Sequence, residues 1–315
     1  MNPLVSVIVI TYNSSKYILD GLKSLEDQTY DNIEVIISDD CSTDNTVEIC
    51  KEWINNSRNK FKRIQLIEAS QNTGVAGNLN RGIMASKGDW IKTLSGDDQF
   101  LSTSIERYVH YVINNPNVNI CFAKFKFTGE ENTSFKLTKA IYEKIFYRRI
   151  NLPPKKQYIE NLKQMSIPGP GLFYSRKLYD NIKGYDEEYQ FCEEDPFTLK
   201  VFDSGEYVHF INEKLYIYRI DDNSLGRKDN HHTALTRHLR DRIRFFYDIR
   251  KDRLKKEHLY FNIFEEELQY KRYFANLSKN ILYKVVLKIA TYFSPMHYKQ
   301  YFITKSIHKQ IYEQP

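Results

Sequence analysis

Apolar and β-branched residues dominate positions 5–10, the pattern of a strand buried on both faces rather than one half exposed. Thr11-Tyr12-Asn13-Ser14-Ser15 follows with turn and N-cap chemistry, and predicts a helix to about residue 25. The unit then repeats. Residues 33–38 read as a strand, 39–44 as a polar loop, and the stretch to about 55 as a helix. A strand at 64–67, a helix at about 75–85 and a strand at 90–94 come next. Alternating strands and helices of this kind predict a Rossmann-like α/β fold, a mostly parallel sheet flanked by helices. Ligands of such sheets bind outside the carboxyl ends of the strands. The loops after residues 10, 38 and 94 all fall at that edge.

Past a helix at 104–114 and a strand at 118–127 the alternation stops. Residues 129–168 are polar and basic, contain Pro153-Pro154, and read as a mobile excursion. Gly169-Pro170-Gly171 opens a short apolar strand, and 175–182 reads as a helix ended by Lys183-Gly184. Another helix is predicted at 195–203, with Pro196 in its tolerant first turn and Gly205 as its stop. Two short strands, 207–211 and 215–219, complete the sheet region. Beyond about Arg227 the chain turns to long, charged and aromatic helices without glycine. The expected organisation is an α/β domain over 1–227, with halves at about 1–100 and 101–227, and a helical C-terminal appendage over 228–315.

Charge sharpens that division. The chain's net +6 is uneven: residues 228–315 hold 18 Lys or Arg against 9 Asp or Glu, which leaves the rest at −3. A basic tail suits an anionic membrane surface, most of all over 281–293, where lysines recur periodically among apolar residues. A helix packed on the main domain, or a homodimer contact, explains the same pattern. No apolar run is long enough to span a bilayer, and Met1-Asn2-Pro3 leads straight into a strand. A cytoplasmic protein, peripheral at most to the inner face of the membrane, is expected. Cys41, Cys50, Cys121 and Cys192 are scattered without metal-site spacing, and His231-His232 is not spaced as a ligand pair.

The strongest candidate chemistry is Leu94-Ser95-Gly96-Asp97-Asp98. Two carboxylates at a strand end, behind a glycine that lets the backbone approach a ligand, suit a hard divalent cation bridging a pyrophosphate. Gly-Asp-Asp is also ordinary turn chemistry. The surroundings decide between the two. Residues 3–13, Ser38-Asp39-Asp40-Cys41-Ser42-Thr43-Asp44, Asn72-Thr73-Gly74 through Asn80-Arg81-Gly82, and Lys87-Gly88-Asp89-Trp90 into Asp97-Asp98 resemble, in order and spacing, the family 2 inverting glycosyltransferases. The resemblance covers about residues 3–225. It implies the GT-A fold, a nucleotide-sugar donor, usually UDP-linked, and a manganese or magnesium ion.

It also implies roles. Thr11, Tyr12 and Asn13 would meet the base, Asp40 would accept its ring N–H, and Asn72 would serve the donor or its loop. Asp97 and Asp98 would contact the ribose and the cation. Ser95 stands where many relatives have a further aspartate. Asp221, in Arg219-Ile220-Asp221, occupies the place of a histidine that commonly completes the metal site, and Arg219 would reach the diphosphate or form a structural ion pair. Gly169, Pro170 and Gly171 would floor the acceptor site. Glu194-Asp195 aligns with the catalytic motif, with Asp195 as general base, although acidic residues are also favoured at a helix start for their charge alone.

Together these residues predict an inverting, metal-dependent transferase of polysaccharide or lipid-linked oligosaccharide assembly. Its partners would be a nucleotide sugar and a glycan or lipid-linked glycan acceptor. Nucleotidyl transfer, the rival chemistry, lacks its glycine-rich phosphate loop here. A non-catalytic glycan- or nucleic-acid-binding module on a decayed scaffold is the other alternative. Retention of Asp97, Asp98, Glu194 and Asp195 speaks against decay, and no nucleic-acid partner is expected.

Overall fold

The structure, a computed structural model, describes residues 2–163, 167–190, 192–221 and 237–277, without the side chains of 237–238 and 272–277. Two compact units are present: Met1–Glu130 with Phe146–Asp221, and Glu131–Ile145 with Asp222–Pro315.

In the first unit the predicted alternation is realised as β1 (Val5–Thr11), α1 (Ile18–Glu26), β2 (Ile33–Asp39), α2 (Thr46–Ser57), β3 (Arg63–Glu68), α3 (Gly74–Met84) and β4 (Trp90–Ser95). Val5, Val7, Ile8 and Val9 of β1 are wholly buried, as are Val35, Ile36 and Ile37 of β2. That burial is why these strands read as apolar runs. Gly82 lets α3 lie on β1, since a Cβ there would stand 2.5 Å from Ile8 Cγ2. The strands β3, β2, β1 and β4 are mutually parallel, with Ile10 paired to both Ser38 and Ser95. This register brings the carboxyl ends of β1, β2 and β4 level.

The short β5 (Gln99–Phe100) and α4 (Ser104–Asn114) lead to β6 (Ile120–Gly129). The full sheet has the order β3-β2-β1-β4-β7-β6-β8-β5, with β7 (Leu172–Ser175) antiparallel to both β4 and β6. The closing strand departs from expectation. Instead of two short strands there is one, β8 (His209–Ile220), whose pairing with β6 slips between Ala123 and Phe125. The exposed Asn212-Glu213-Lys214 stretch breaks the alternation in sequence, and the ladder absorbs the extra residues as a bulge.

Residues 129–168 differ more. They are helical over most of their length: α5 (Thr133–Ile141), a continuing turn Tyr142–Phe146, α6 (Tyr147–Ile150) and α7 (Pro154–Leu162). Asn132 caps α5 by accepting from Phe135 N–H at 2.9 Å. Pro154 takes the first position of α7, where a missing N–H costs nothing. Buried Gln157 and Asn161 anchor α7, the former donating to the Ile150 and Val208 carbonyls. Polar residues thus tie down α7, within a segment whose polarity suggests mobility.

Next come α8 (Arg176–Asn181), ended by Lys183 and Gly184 at φ +59° and +62°, and α9 (Glu194–Asp203), ended near Gly205. In the second unit α10 (Arg237–Phe245), α11 (Lys251–Lys256) and α12 (Tyr260–Leu277) are described. There Arg250 and Glu266 form a buried ion pair, with Tyr270 donating to Glu266 at 2.6 Å. Among the described residues no helix is long and apolar enough to cross a membrane. The 281–293 segment and His231-His232 lie outside the described residues.

Candidate active site

Asp97 and Asp98 stand on the tight turn after β4, where Gly96 is required: a Cβ there would meet Ser14 Oγ at 2.6 Å. The two carboxylates point to different tasks. Asp98 is buried and accepts from Tyr216 Oη at 2.9 Å and from Arg219 N–H at 2.7 Å. It fastens β8 to the end of β4. Asp97 is half-buried, and among the described residues its carboxyl meets as a hydrogen-bond partner only its own backbone N–H. Burial pushes both carboxyls up, Asp98 well above the usual range, with further repulsion from Asp97 on Asp98 and from Asp221 on Asp97. Desolvated, mutually repelling acids are what a cation relieves.

Asp221 follows the end of β8 and accepts from Tyr17 Oη at 2.8 Å. Arg219 is held back from solvent: its Nε donates to the Asp97 carbonyl at 2.9 Å, its Nη2 to Asp20 at 3.3 Å, and its guanidinium lies 4.3 Å from the Tyr17 ring centroid. The ion-pair alternative for Arg219 is therefore present in the fold. Asp97 and Asp221 together offer hard carboxylate oxygens of the type manganese and magnesium accept, which fits a divalent cation. Among the described residues no group of three or more His, Cys, Asp or Glu side chains forms a ready metal cage.

On the base side, Thr11 is fully engaged: its hydroxyl donates to Asp39 at 2.7 Å, and its carbonyl accepts from Asp40 N–H and from Asn78. Tyr12 is half-buried, and Asn13 is exposed at φ +50°, accepting from Thr43 N–H. Asp40 is engaged within the fold. Its two oxygens accept from Thr73 N–H and Oγ1, Gly74 N–H and the Arg81 guanidinium at 2.7 to 3.0 Å. An incoming base would have to displace one of these donors. Asn72 accepts from Gly74 N–H, and Asn80 is a packing residue bridging Tyr179, Tyr185 and Glu187. An open recess of about 510 Å³ beside α3, lined by Thr73, Gly77, Arg81 and Glu187, lies apart from the acidic turn.

On the acceptor side, Gly169–Gly171 forms a 3-10 turn in which Gly169 N–H donates to Glu194 Oε1 at 2.6 Å. Glu194 and Asp195 open α9, and Asp195 is half-buried. Gly171 is a packing necessity, since a Cβ would collide with the Phe122 ring. The structure thus joins Asp97, Asp98, Arg219 and Asp221 in one cluster, and Glu194, Asp195 and the glycine turn in another. Sequence reasoning overlooked Tyr17, Arg81, Lys92 and Tyr216. Arg81 lies inside a recognised motif and Lys92 interrupts an apolar strand, whereas Tyr17 and Tyr216 leave no such mark.

A parallel half-sheet with an acidic turn at its carboxyl edge, closed by an antiparallel strand and a second acidic helix start, is the GT-A glycosyltransferase architecture. The model described as "Glycosyl transferase family 2" matches residues 6–182, more than half of the chain, and the chain belongs to that family. "Uncharacterized glycosyltransferase EpsJ" of Bacillus subtilis (strain 168) is 29% identical over 240 residues, covering 71% of this chain and 63% of EpsJ, just under two thirds of that relative. Among solved structures, S. aureus TarS 1–349 in complex with UDP-GlcNAc aligns with a TM-score of 0.55 at 21% identity, over 70% of this chain and 60% of that one. Mannosyltransferase PcManGT from Pyrobaculum calidifontis, in complex with GDP-Man and Mn2+, gives 0.58 at 14% identity over 100% and 89%. At these identities the likeness to the solved structures is one of fold.

Proposed function

We propose that the protein is a metal-dependent, inverting glycosyltransferase that moves one sugar from a nucleotide-linked donor, UDP-linked by preference, to a hydroxyl of a glycan or lipid-linked glycan. The observation that carries this is the division of labour at the β4 turn: Asp98 is engaged by Tyr216 and Arg219 N–H, while the Asp97 carboxyl, desolvated and repelled by Asp221, is offset only in part by the Arg219 charge. Similarity in fold to proteins crystallised with UDP-GlcNAc, and with GDP-Man and Mn2+, supports a donor at this edge.

In this reading Asp97 and Asp221 would hold a divalent cation, which when bound would supply charge neutralisation to the leaving diphosphate. The β1 loop, Tyr12 and Asn13, borders the base. Asp195 accepts the proton of the acceptor hydroxyl as its oxygen bonds to the anomeric carbon, while the bond from that carbon to the diphosphate breaks on the opposite face. Glu194, tied to Gly169, keeps the acceptor-side turn beside that base. The test is release of nucleoside diphosphate from a panel of UDP- and GDP-sugars with manganese. Turnover lost in Asp97→Ala and Asp195→Asn supports the reading, and nucleotide binding without any metal response sinks its metal-dependent part.

A contact between the second unit and an anionic membrane has its own support. Tyr260, Phe261 and Phe264 at the start of α12 are all more than half exposed, beside exposed Lys255, Lys256 and His258. Aromatic and basic side chains mixed in this way suit a lipid headgroup layer. Co-sedimentation with phosphatidylglycerol vesicles, weakened by Phe261→Ser with Phe264→Ser, is the expected outcome. Equal recovery of wild type and variant on those vesicles would remove the proposal.

A further inference from the structure

Strand β4 buries a lysine. Lys92 has no exposed surface and pairs in register with Val7 on β1 and Phe173 on β7, a position that is ordinarily apolar. Its Nζ lies 4.7, 5.3 and 5.5 Å from the ring centroids of Tyr216, Phe100 and Tyr108. Burial pushes its amine down to about 7, and the amine remains a hydrogen-bond donor whether or not it is charged. It donates to the Thr93 carbonyl at 3.2 Å and to the Pro170 carbonyl.

The second of those bonds belongs to a set. Three successive carbonyls of the Gly169–Gly171 turn each accept from a different side chain: Gly169 from Thr93 Oγ1 at 3.4 Å, Pro170 from Lys92, and Gly171 from Tyr108 Oη at 3.0 Å. The amide that opens the turn, Gly169 N–H, donates to Glu194, the residue before Asp195. An aliphatic side chain would fill the aromatic cage at a lower desolvation cost. What the amine adds is a bond between the strand that leads into the Asp97 turn and the turn that touches the start of α9.

We propose that Lys92 is a positioning residue for sugar transfer. Through the Pro170 carbonyl it fixes the glycine turn against β4, and through Gly169 and Glu194 it sets Asp195 at working distance from a donor held at Asp97. This rests on the transferase reading above and adds that a buried amine holds the spacing between the two acid clusters.

The test uses the full chain as wild type, Lys92→Met and Lys92→Gln. Each is measured for turnover of the wild type's preferred nucleotide sugar with manganese, for affinity toward UDP with manganese by calorimetry, and for thermal unfolding. Lys92→Met is expected to keep UDP affinity within twofold and to lose kcat at least tenfold. Lys92→Gln, which keeps an amide donor toward Pro170, is expected to recover kcat at least threefold over Lys92→Met. A Lys92→Met kcat within twofold of wild type overturns the proposal. So does a parallel loss of affinity, kcat and Tm that Lys92→Gln does not relieve, because that is a purely structural role. If Lys92→Met does not fold, Lys92→Gln decides: wild-type affinity with kcat at least threefold reduced supports the proposal, and any other pattern rejects it. A wild type that neither binds UDP nor turns over any sugar nucleotide fails before any variant is made. That failure belongs to the transferase reading and removes this inference with it.

Discussion

Asp97-Asp98 and Glu194-Asp195 are both adjacent acid pairs, and each has a member fastened to a distant stretch of main chain. One member is tied to the main chain of a neighbouring segment: Asp98 to Arg219 N–H, Glu194 to Gly169 N–H. The other stands beside it, Asp97 on the β4 turn and Asp195 in the first turn of α9. The settings differ. Asp98 is deeply desolvated, both carboxyls of the first pair are pushed up, and Asp221 adds like charge to Asp97. The second pair opens a helix, where acidic residues are favoured. A site that is to receive a cation thus keeps desolvated, mutually repelling carboxyls that the nearby Arg219 offsets only in part, whereas a site that is to take a proton needs only to be held in place. In each pair the anchored acid builds the site.

The largest test of this division is Asp195→Asn, which is expected to lower turnover by about 10²- to 10⁴-fold while UDP affinity stays near wild type. Steady-state kinetics beside calorimetry read both, and a parallel loss of affinity would break the separation of the two clusters. Asp97→Asn should weaken manganese-dependent UDP binding by about tenfold or more. It should also raise the Tm of the ligand-free protein by a few degrees, roughly 1–3 °C, because it removes a charge the apo fold penalises.

Asp98→Ala is expected to move stability rather than metal response. Arg219 N–H and Tyr216 Oη lose their acceptor, at a cost of about 1–3 kcal/mol readable by urea unfolding. If Asp98→Ala unfolds like wild type and Asp97→Asn is the destabilised variant, the assignment is reversed. The smallest effect concerns pH. Lys92 titrates near 7 when folded and at its ordinary 10.5 when unfolded, so between these values the unfolded chain binds the extra proton and stability rises with pH. The slope is at most about 1.4 kcal/mol per pH unit. It should flatten in Lys92→Met, as unfolding midpoints at pH 7.5, 8.5 and 9.5 would show.

The parallel half was legible because strands buried on both faces are dominated by apolar residues, as β1 and β2 are in Val5, Val7, Ile8, Val9, Val35, Ile36 and Ile37. The helices at 133–162 were not, because their polar residues are satisfied by partners distant in sequence, as Gln157 is by Val208. Splitting β8 in two failed for a related reason, since a bulge is a property of a ladder and not of one strand. At the site, motif order pointed to Asp97-Asp98 as a pair but not to their separate tasks. The place of Asp40 after β2 marks it as an acceptor, but not that Thr73, Gly74 and Arg81 converge on it within the fold.

Sequence alone determined what short range and repetition control: the strand–helix alternation, the loops at one sheet edge, and the acid motifs in their order. Tertiary structure decided which acid of each pair is anchored, that Arg219 is held by Asp97 and Asp20, and that Lys92 reaches Pro170 across 78 positions. Neighbouring side chains on a turn share a sequence context but not a direction, and a carboxylate's role depends on which donors the fold brings to it.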